Sequence, residues 1–322
     1  MNKRLLNIFS DFKSIDYKKI RSKNFLSREL EYSKRAAVNV MNNSGYRVVE
    51  KCDLCGFNQF AWLEHKNEID IVECEKCGLV ISRLIPVEID DVYSDQDYLD
   101  ETIDTISKGD EYRKHRFGQE RLSIILEHKN EGGRLLDVGC GTGWFIEVSK
   151  KYFDCYGVEY SDSLIEYLGN KGIKASKSID EVHGKFDVIT AFDLIEHVPS
   201  PRNMLTGIFN NLINDNGILL IYTPNFDSIS FYKLGKLCSL LTPPAHLYYF
   251  TPLTITKLSK DIGFSVEKVE IAGIDIGDLY AHQLSLGNVE TASFLEDNQN
   301  WLQYCIDQSD VGNHMRVILR KQ

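Results

Sequence analysis

The sequence predicts an α/β protein in which a doubly wound, mostly parallel sheet follows a small cysteine-framed module. Three observations lead there. A short apolar strand, Arg134 to Val138, runs into glycines at 139, 141 and 143 and then into a helix from Trp144. A second strand, Tyr156 to Val158, ends in Glu159, twenty residues after Gly139. Upstream, two C-x2-C pairs, Cys52/Cys55 and Cys74/Cys77, are separated by eighteen residues.

Composition sets the limits. The chain has 322 residues, 43% hydrophobic and 26% charged, so it is globular, with length for two domains or for one with an appendage. Its 37 Lys+Arg against 47 Asp+Glu give a net charge of -10, which argues against a nucleic-acid partner, because phosphate binding draws on a basic surface. No apolar run of about 18 residues exists to span a bilayer. The charged start has no small-residue cleavage pattern, so a cytoplasmic protein is expected.

The charge is uneven. Residues 1–35 hold ten Lys/Arg and four Asp/Glu, and Leu5, Ile8, Phe9, Phe12 and Ile15 recur there at helical spacing. Such a basic amphipathic helix suits docking to a membrane surface or a protein partner. Packing against the acidic body of the same chain is the simpler reading. The segment is read as a basic helical extension over 1–45.

A cysteine module over 46–95 comes next. Two residues between paired cysteines let one turn present both sulfurs to a tetrahedral ion, and four thiolates are a structural zinc set. Gly56 and Gly78, each following a second cysteine, permit the positive-φ turn that aims backbone N–H groups at sulfur. Phe60–Trp62, Ile69–Val72 and Leu79–Ile81 read as short strands of a zinc ribbon. Disulfides are disfavoured in a cytosolic setting. The other cysteines, 140, 155, 238 and 305, are scattered as buried thiols would be.

Residues 96–130 form a connecting segment with a helix from Tyr112 to about Glu127. In 131–322, Phe186–Ala191 and Gly217–Tyr222 read as further buried strands. Phe264–Ile271 and Met315–Arg320 read as a closing hairpin, with an insertion at about 273–312 holding one helix over Glu290–Ile306. The G-x-G-x-G spacing places Trp144 where a dinucleotide fingerprint has its third glycine, which disfavours pyrophosphate.

The stretch Asp137-Val-Gly139-Cys-Gly141-Thr-Gly143, with its ordered strands, resembles the first motif of class I S-adenosylmethionine (SAM)-dependent methyltransferases. The resemblance covers about 110–272 and 313–322. It implies a Rossmann-like, seven-stranded doubly wound sheet with a reversed last strand. It further implies that Asp137 orders the loop and the amino-acid end of SAM, that Gly139, Gly141 and Gly143 pack against the cofactor, and that Glu159 holds the ribose. Tyr160 would lie along the adenine, and Phe192 and Asp193 near the sulfonium.

The acceptor's proton needs a destination. If a helix follows the fourth strand, Asp193, Glu196 and His197 share one face, with His246 arriving from far along the chain. One reading makes His246 a general base, since a neutral imidazole titrates near pH 7. A second has Asp193, Glu196, His197 and His246 holding a divalent ion such as Mg2+. The run is similar to that of ubiquinone-biosynthesis and small-RNA 2′-O-methyltransferases, where it binds an ion that activates the acceptor oxygen. In a third, both histidines only bond backbone and shape the pocket. The aromatics of 225–250, with Tyr93 and Tyr98, would close over the acceptor or serve as inter-domain packing.

Residues 192–195 read Phe-Asp-Leu-Ile, not the Asn/Asp-Pro-Pro-aromatic of amino-directed nucleic-acid methyltransferases. The expected activity is therefore methylation of a small molecule. The resemblance suggests O-methylation, or C-methylation, of a sugar or nucleotide-linked sugar. The alternative is an RNA methyltransferase gripping RNA with its ribbon, which the ribbon's acids oppose; a non-catalytic SAM binder is a third class.

Overall fold

The structure, a computed structural model, describes residues 15–20, 25–93 and 109–322. The apolar positions Leu5 to Phe12 of the basic segment and Tyr98 lie outside them. The strands in chain order are β1 Tyr46–Val48, β2 Phe60–Lys66, β3 Ile69–Cys74, β4 Val80–Ser82, β5 Leu84–Pro86, β6 Arg134–Val138, β7 Asp154–Val158, β8 Ala175–Ser176, β9 Phe186–Phe192, β10 Ile213–Pro224, β11 Tyr248–Tyr249, β12 Ser265–Ile271 and β13 His314–Arg320.

Seven of them form one sheet in the order β8-β7-β6-β9-β10-β13-β12. β6 pairs in parallel with β7 and β9, while β13 runs antiparallel to both β10 and β12. This is the expected doubly wound sheet with its reversed last strand. Its inner strands are apolar on both faces because helices cover both. Leu136, Val138, Ile189, Ala191 and Ile221 pack toward Leu205, Ile208, Ile255 and Leu258. Leu135, Val188, Ile218 and Leu220 pack toward Leu122, Ile125, Phe145 and Val148. Strand order reverses between β6 and β9, so the crevice outside their carboxyl ends is where such a sheet takes a ligand.

The chain is helical from residue 109 to His128, with a π-turn over Lys114–Gly118. The single helix expected across 290–306 is instead two, Val289–Asp297 and Gln299–Gln308, broken at Asn298; a further helix, Asp275–Ser285, precedes them. Residues 15–20 lie on this insertion. Tyr17 is buried and donates to Asp278 at 3.2 Å, Lys18 pairs with Glu296, and Gln299 donates to the Ile15 carbonyl. For these residues the packing reading of the basic extension holds.

The cysteine module does not close its own sheet. The order there is β11-β4-β3-β2, and β11 comes from the segment after β10, pairing Tyr248 with Ile81 and Tyr249 with Val80. Asp53, inside the first cysteine pair, accepts from Ser200 Oγ (2.9 Å) and the Arg202 N–H (3.0 Å) at the start of the helix Pro201–Gly207. The module is thus joined to the rest of the chain through β11 and through Asp53. Among the described residues no helix is long and apolar enough to cross a membrane.

Candidate active site

The glycine turn is tied to the neighbouring strand, with the N–H groups of Gly139 and Cys140 both donating to the Val158 carbonyl (2.8 and 3.0 Å). Gly139, Gly141 and Gly143 have φ of 76°, 55° and 75°, so all three need the left-handed region that glycine adopts freely. Their surroundings differ. A Cβ on Gly143 would meet Ile173 Cδ1 at 2.6 Å and Leu168 Cδ2 at 2.7 Å, and one on Gly139 would meet Leu194, whereas one on Gly141 would face open space. Gly143 therefore serves packing of the following helix, and Gly141 is where a ligand can lie against backbone.

Asp137 is buried at the end of β6, and its Oδ1 accepts from Thr190 Oγ1 at 2.6 Å. Burial pushes its carboxyl up to about 7, against the pull of Thr190 and the positive charge of Arg121. Glu159 accepts the Gly141 N–H at 2.9 Å on one oxygen and the Ser161 N–H at 3.0 Å on the other. Each oxygen keeps a lone pair for a ribose hydroxyl. Burial raises this carboxyl too, while the two backbone donors oppose it. Tyr160 is 46% exposed, with Lys177 over its ring, at the rim. Phe192 lies edge-on to Phe145 and Tyr222.

Sequence reasoning missed Arg121. It is 7% exposed, and its guanidinium stacks over Phe192 and Tyr222 at 4.2 Å each, with Trp144 at 5.2 Å. Its Nε is buried with no hydrogen-bond partner among the described residues. A buried guanidinium with an unpartnered Nε, whose charge acts on Asp137, suits the carboxylate of an amino-acid moiety. The one signal was an arginine directly before Leu122 on the buried stripe of its helix.

The second group forms at the end of β9, but not on a helix. Asp193 has φ 51° and its N–H donates to the Tyr222 carbonyl, so the chain turns there, and the next helix starts only at Pro201. The Asp193 side chain is exposed and stands outside the cluster it was expected to join. Glu196, His197 and His246 do come together, each offering a ligand atom within 4.8 Å of the others. Glu196 is buried and accepts from Thr223 Oγ1 at 2.9 Å. Burial, then the charge of Asp193, raises its carboxyl well above the ordinary range.

His197 Nδ1 is 2.9 Å from the Ala245 carbonyl and 3.0 Å from the Tyr93 hydroxyl, and His246 Nδ1 is 2.8 Å from the Leu240 carbonyl. A carbonyl only accepts, so both Nδ1 atoms carry the proton, and among the described residues neither Nε2 lone pair has a hydrogen-bond partner. Burial lowers both imidazoles, His246 well below its ordinary value with the His197 ring next to it, so both are neutral. The rings meet edge to face at 4.6 Å. Two neutral imidazoles, each fixed by an Nδ1–H to a carbonyl, and the buried Glu196 carboxyl are residue types that could hold a metal ion.

Cys52, Cys55, Cys74 and Cys77 also come together, with Sγ atoms within 4.8 Å of one another and two pairs at 3.5 Å. Gly56 and Gly78 have φ of 70° and 74°, and backbone N–H groups of residues 54, 55, 76 and 77 point at the Cys52 and Cys74 sulfurs.

A family model described as a methyltransferase domain matches residues 110–269, beyond the cysteine module. The mitochondrial ubiquinone biosynthesis O-methyltransferase of Saccharomyces cerevisiae is 28% identical over 215 residues, which span 63% of this chain and 64% of its own length. The ubiquinone biosynthesis O-methyltransferase of Coxiella burnetii is 30% identical over 178 residues, spanning 50% of this chain and 75% of its own. A solved SAM-dependent methyltransferase from Archaeoglobus fulgidus overlays with a TM-score of 0.45 at 18% identity, covering 65% of this chain and 98% of its own.

Proposed function

We propose that this chain, which belongs to the class I SAM-dependent methyltransferases, methylates a hydroxyl on a small molecule. The observation that supports this most is the Glu196–His197–His246 group, with its bare imidazole nitrogens, at the same sheet end as the glycine turn. In this reading Glu159 takes the ribose, Gly141 lets the cofactor lie on backbone, and Asp137 with Arg121 receives the amino-acid end. Bound SAM supplies an electrophilic methyl for in-line displacement by the acceptor oxygen. Phe192 and Tyr222, held by Arg121 between them, wall the crevice against water.

The three donors fit a divalent ion, whose chemistry would be to lower the pKa of a bound hydroxyl. Two nitrogens and one carboxyl group, with Asp193 outside, favour an imidazole-binding transition metal over the Mg2+ that is one of three readings of the sequence. A second reading has the bare Nε2 of His246 take the acceptor proton directly. Dialysis against a chelator separates them: activity lost and restored by added metal supports the ion, and chelator-resistant activity supports the base. The relatives' names, ubiquinone biosynthesis O-methyltransferases, favour oxygen over carbon as the acceptor atom and lend no support to the sugar or nucleotide-linked sugar expected from the sequence. No observation favours RNA, since Glu68, Asp70 and Glu75 are exposed on the cysteine module.

For the four cysteines we propose structural zinc. Tetrahedral Zn–S bonds of about 2.3 Å place sulfurs about 3.8 Å apart, which the cluster matches. The activity itself is tested by incubating the purified chain with SAM and cell metabolites and scanning by mass spectrometry for a compound that gains one CH2. No such gain with any acceptor pool, from a chain that binds SAM, would contradict the reading.

A further inference from the structure

Lys66 closes β2 of the cysteine module, yet its side chain is only 9% exposed. Among the described residues Nζ has one hydrogen bond, a long 3.4 Å contact to the Cys238 carbonyl, and no carboxylate pairs with it. That carbonyl lies two residues before the Leu240 carbonyl that fixes His246. The ammonium and the candidate catalytic imidazole are therefore anchored on one short turn, approached from opposite elements. Asn67, the next residue, holds the same turn through the Pro243 carbonyl at 2.7 Å, and Ser82 Oγ donates to the His246 carbonyl at 2.9 Å. The module thus reaches into the wall of the site.

An unpaired buried ammonium costs several kcal/mol, whereas a methionine there would cost nothing of the kind. Burial lowers the Lys66 amine to about 8, which still leaves it mostly protonated at neutral pH. The adjacent Cys238 thiol, pushed up by burial to about 12, stays neutral and gives no counter-charge. Lys34 adds positive charge here, and among the described residues the carboxylate acting on the amine is Glu64, two positions back along β2. A positive, desolvated spot on the turn that fixes His246, with its charge reaching that imidazole, is chemistry that selects an anion.

We propose that Lys66 anchors an oxyanion, a carboxylate or a phosphate, of the methyl acceptor. This rests on the methyltransferase reading and narrows its substrate to anionic hydroxy compounds. The cysteine module is then part of substrate recognition, and Lys66 is a specificity residue that the methyltransferase-domain match over 110–269 does not contain.

The test uses the full chain saturated with S-adenosylhomocysteine, titrated by calorimetry with three probes. These are 3,4-dihydroxybenzoate for a carboxylate source, inorganic pyrophosphate for a phosphate source, and neutral catechol as control. The expected result is that one anion binds at least tenfold more tightly than catechol, and that Lys66→Met removes that preference while S-adenosylhomocysteine affinity stays within twofold. Lys66→Arg should keep part of the preference. If Lys66→Met fails to fold, Lys66→Gln carries the same expectation. Wild-type protein with no preference for either anion, or a Lys66→Met variant that retains it, would overturn the assignment. Failure of wild-type protein to bind S-adenosylhomocysteine would instead strike the methyltransferase reading.

Discussion

Replacing Arg121 by methionine should move two quantities in opposite directions. The guanidinium lies between Phe192 and Tyr222 at 4.2 Å, with its Nε buried and unpartnered. In the free protein its desolvation, several kcal/mol, is offset in part by stacking, at about 2 kcal/mol for a desolvated cation–π contact. Methionine fills similar volume between the same rings and removes the charge, so cofactor-free stability should hold within about 1 kcal/mol or rise. If Arg121 receives the carboxylate of SAM, that bond is charge-assisted at both ends and is worth roughly 1.5–3 kcal/mol. The dissociation constant should then rise about 10- to 100-fold, since each 1.4 kcal/mol is tenfold. Urea unfolding of free protein and calorimetry with S-adenosylhomocysteine measure the two. Unchanged affinity, or a loss of several kcal/mol in the free protein, would show that Arg121 is a structural strut.

Gly143→Ala should destabilise the fold by about 1–3 kcal/mol in denaturant unfolding, because the new Cβ strikes Ile173 and Leu168 in a left-handed backbone. Gly141→Ala, equally left-handed but facing open space, should cost about 1 kcal/mol in stability and lose cofactor affinity in calorimetry. The folded-state pKa of Asp137, raised to about 7, exceeds its unfolded value near 4, so the folded state holds the extra proton between them. Free-protein stability should accordingly fall by a few kcal/mol as pH rises from about 4 to 7, and Asp137→Asn should flatten that slope in urea midpoints taken across the range. Elemental analysis should find one zinc per wild-type chain, and Cys74→Ser should abolish it and lower the melting temperature, since site and sheet form together.

Much of this architecture was written in local pattern. The strand running into Gly139, the acid at Glu159 and the paired cysteines are short-range signals with a physical cause, and each sits where its spacing placed it. What escaped depended on distant partners. β11 is two residues long, below any periodicity, and exists because Tyr248 and Tyr249 find Ile81 and Val80 more than 160 positions earlier. The Asp193–His197 spacing is equally consistent with a helix. Only the bond from the Asp193 N–H to the Tyr222 carbonyl turns the chain, moving Asp193 out and leaving Glu196 and His197 to meet His246. Residue type alone sets neither Arg121 nor Lys66 apart from a surface charge; burial in the fold does.

The most direct measurement is calorimetric titration of the folded chain with SAM and S-adenosylhomocysteine, beside Glu159→Ala. Saturable one-to-one uptake of both, weakened at least tenfold in the variant at unchanged fold, is the result this account predicts. Well-folded wild-type protein that takes up neither compound would contradict it.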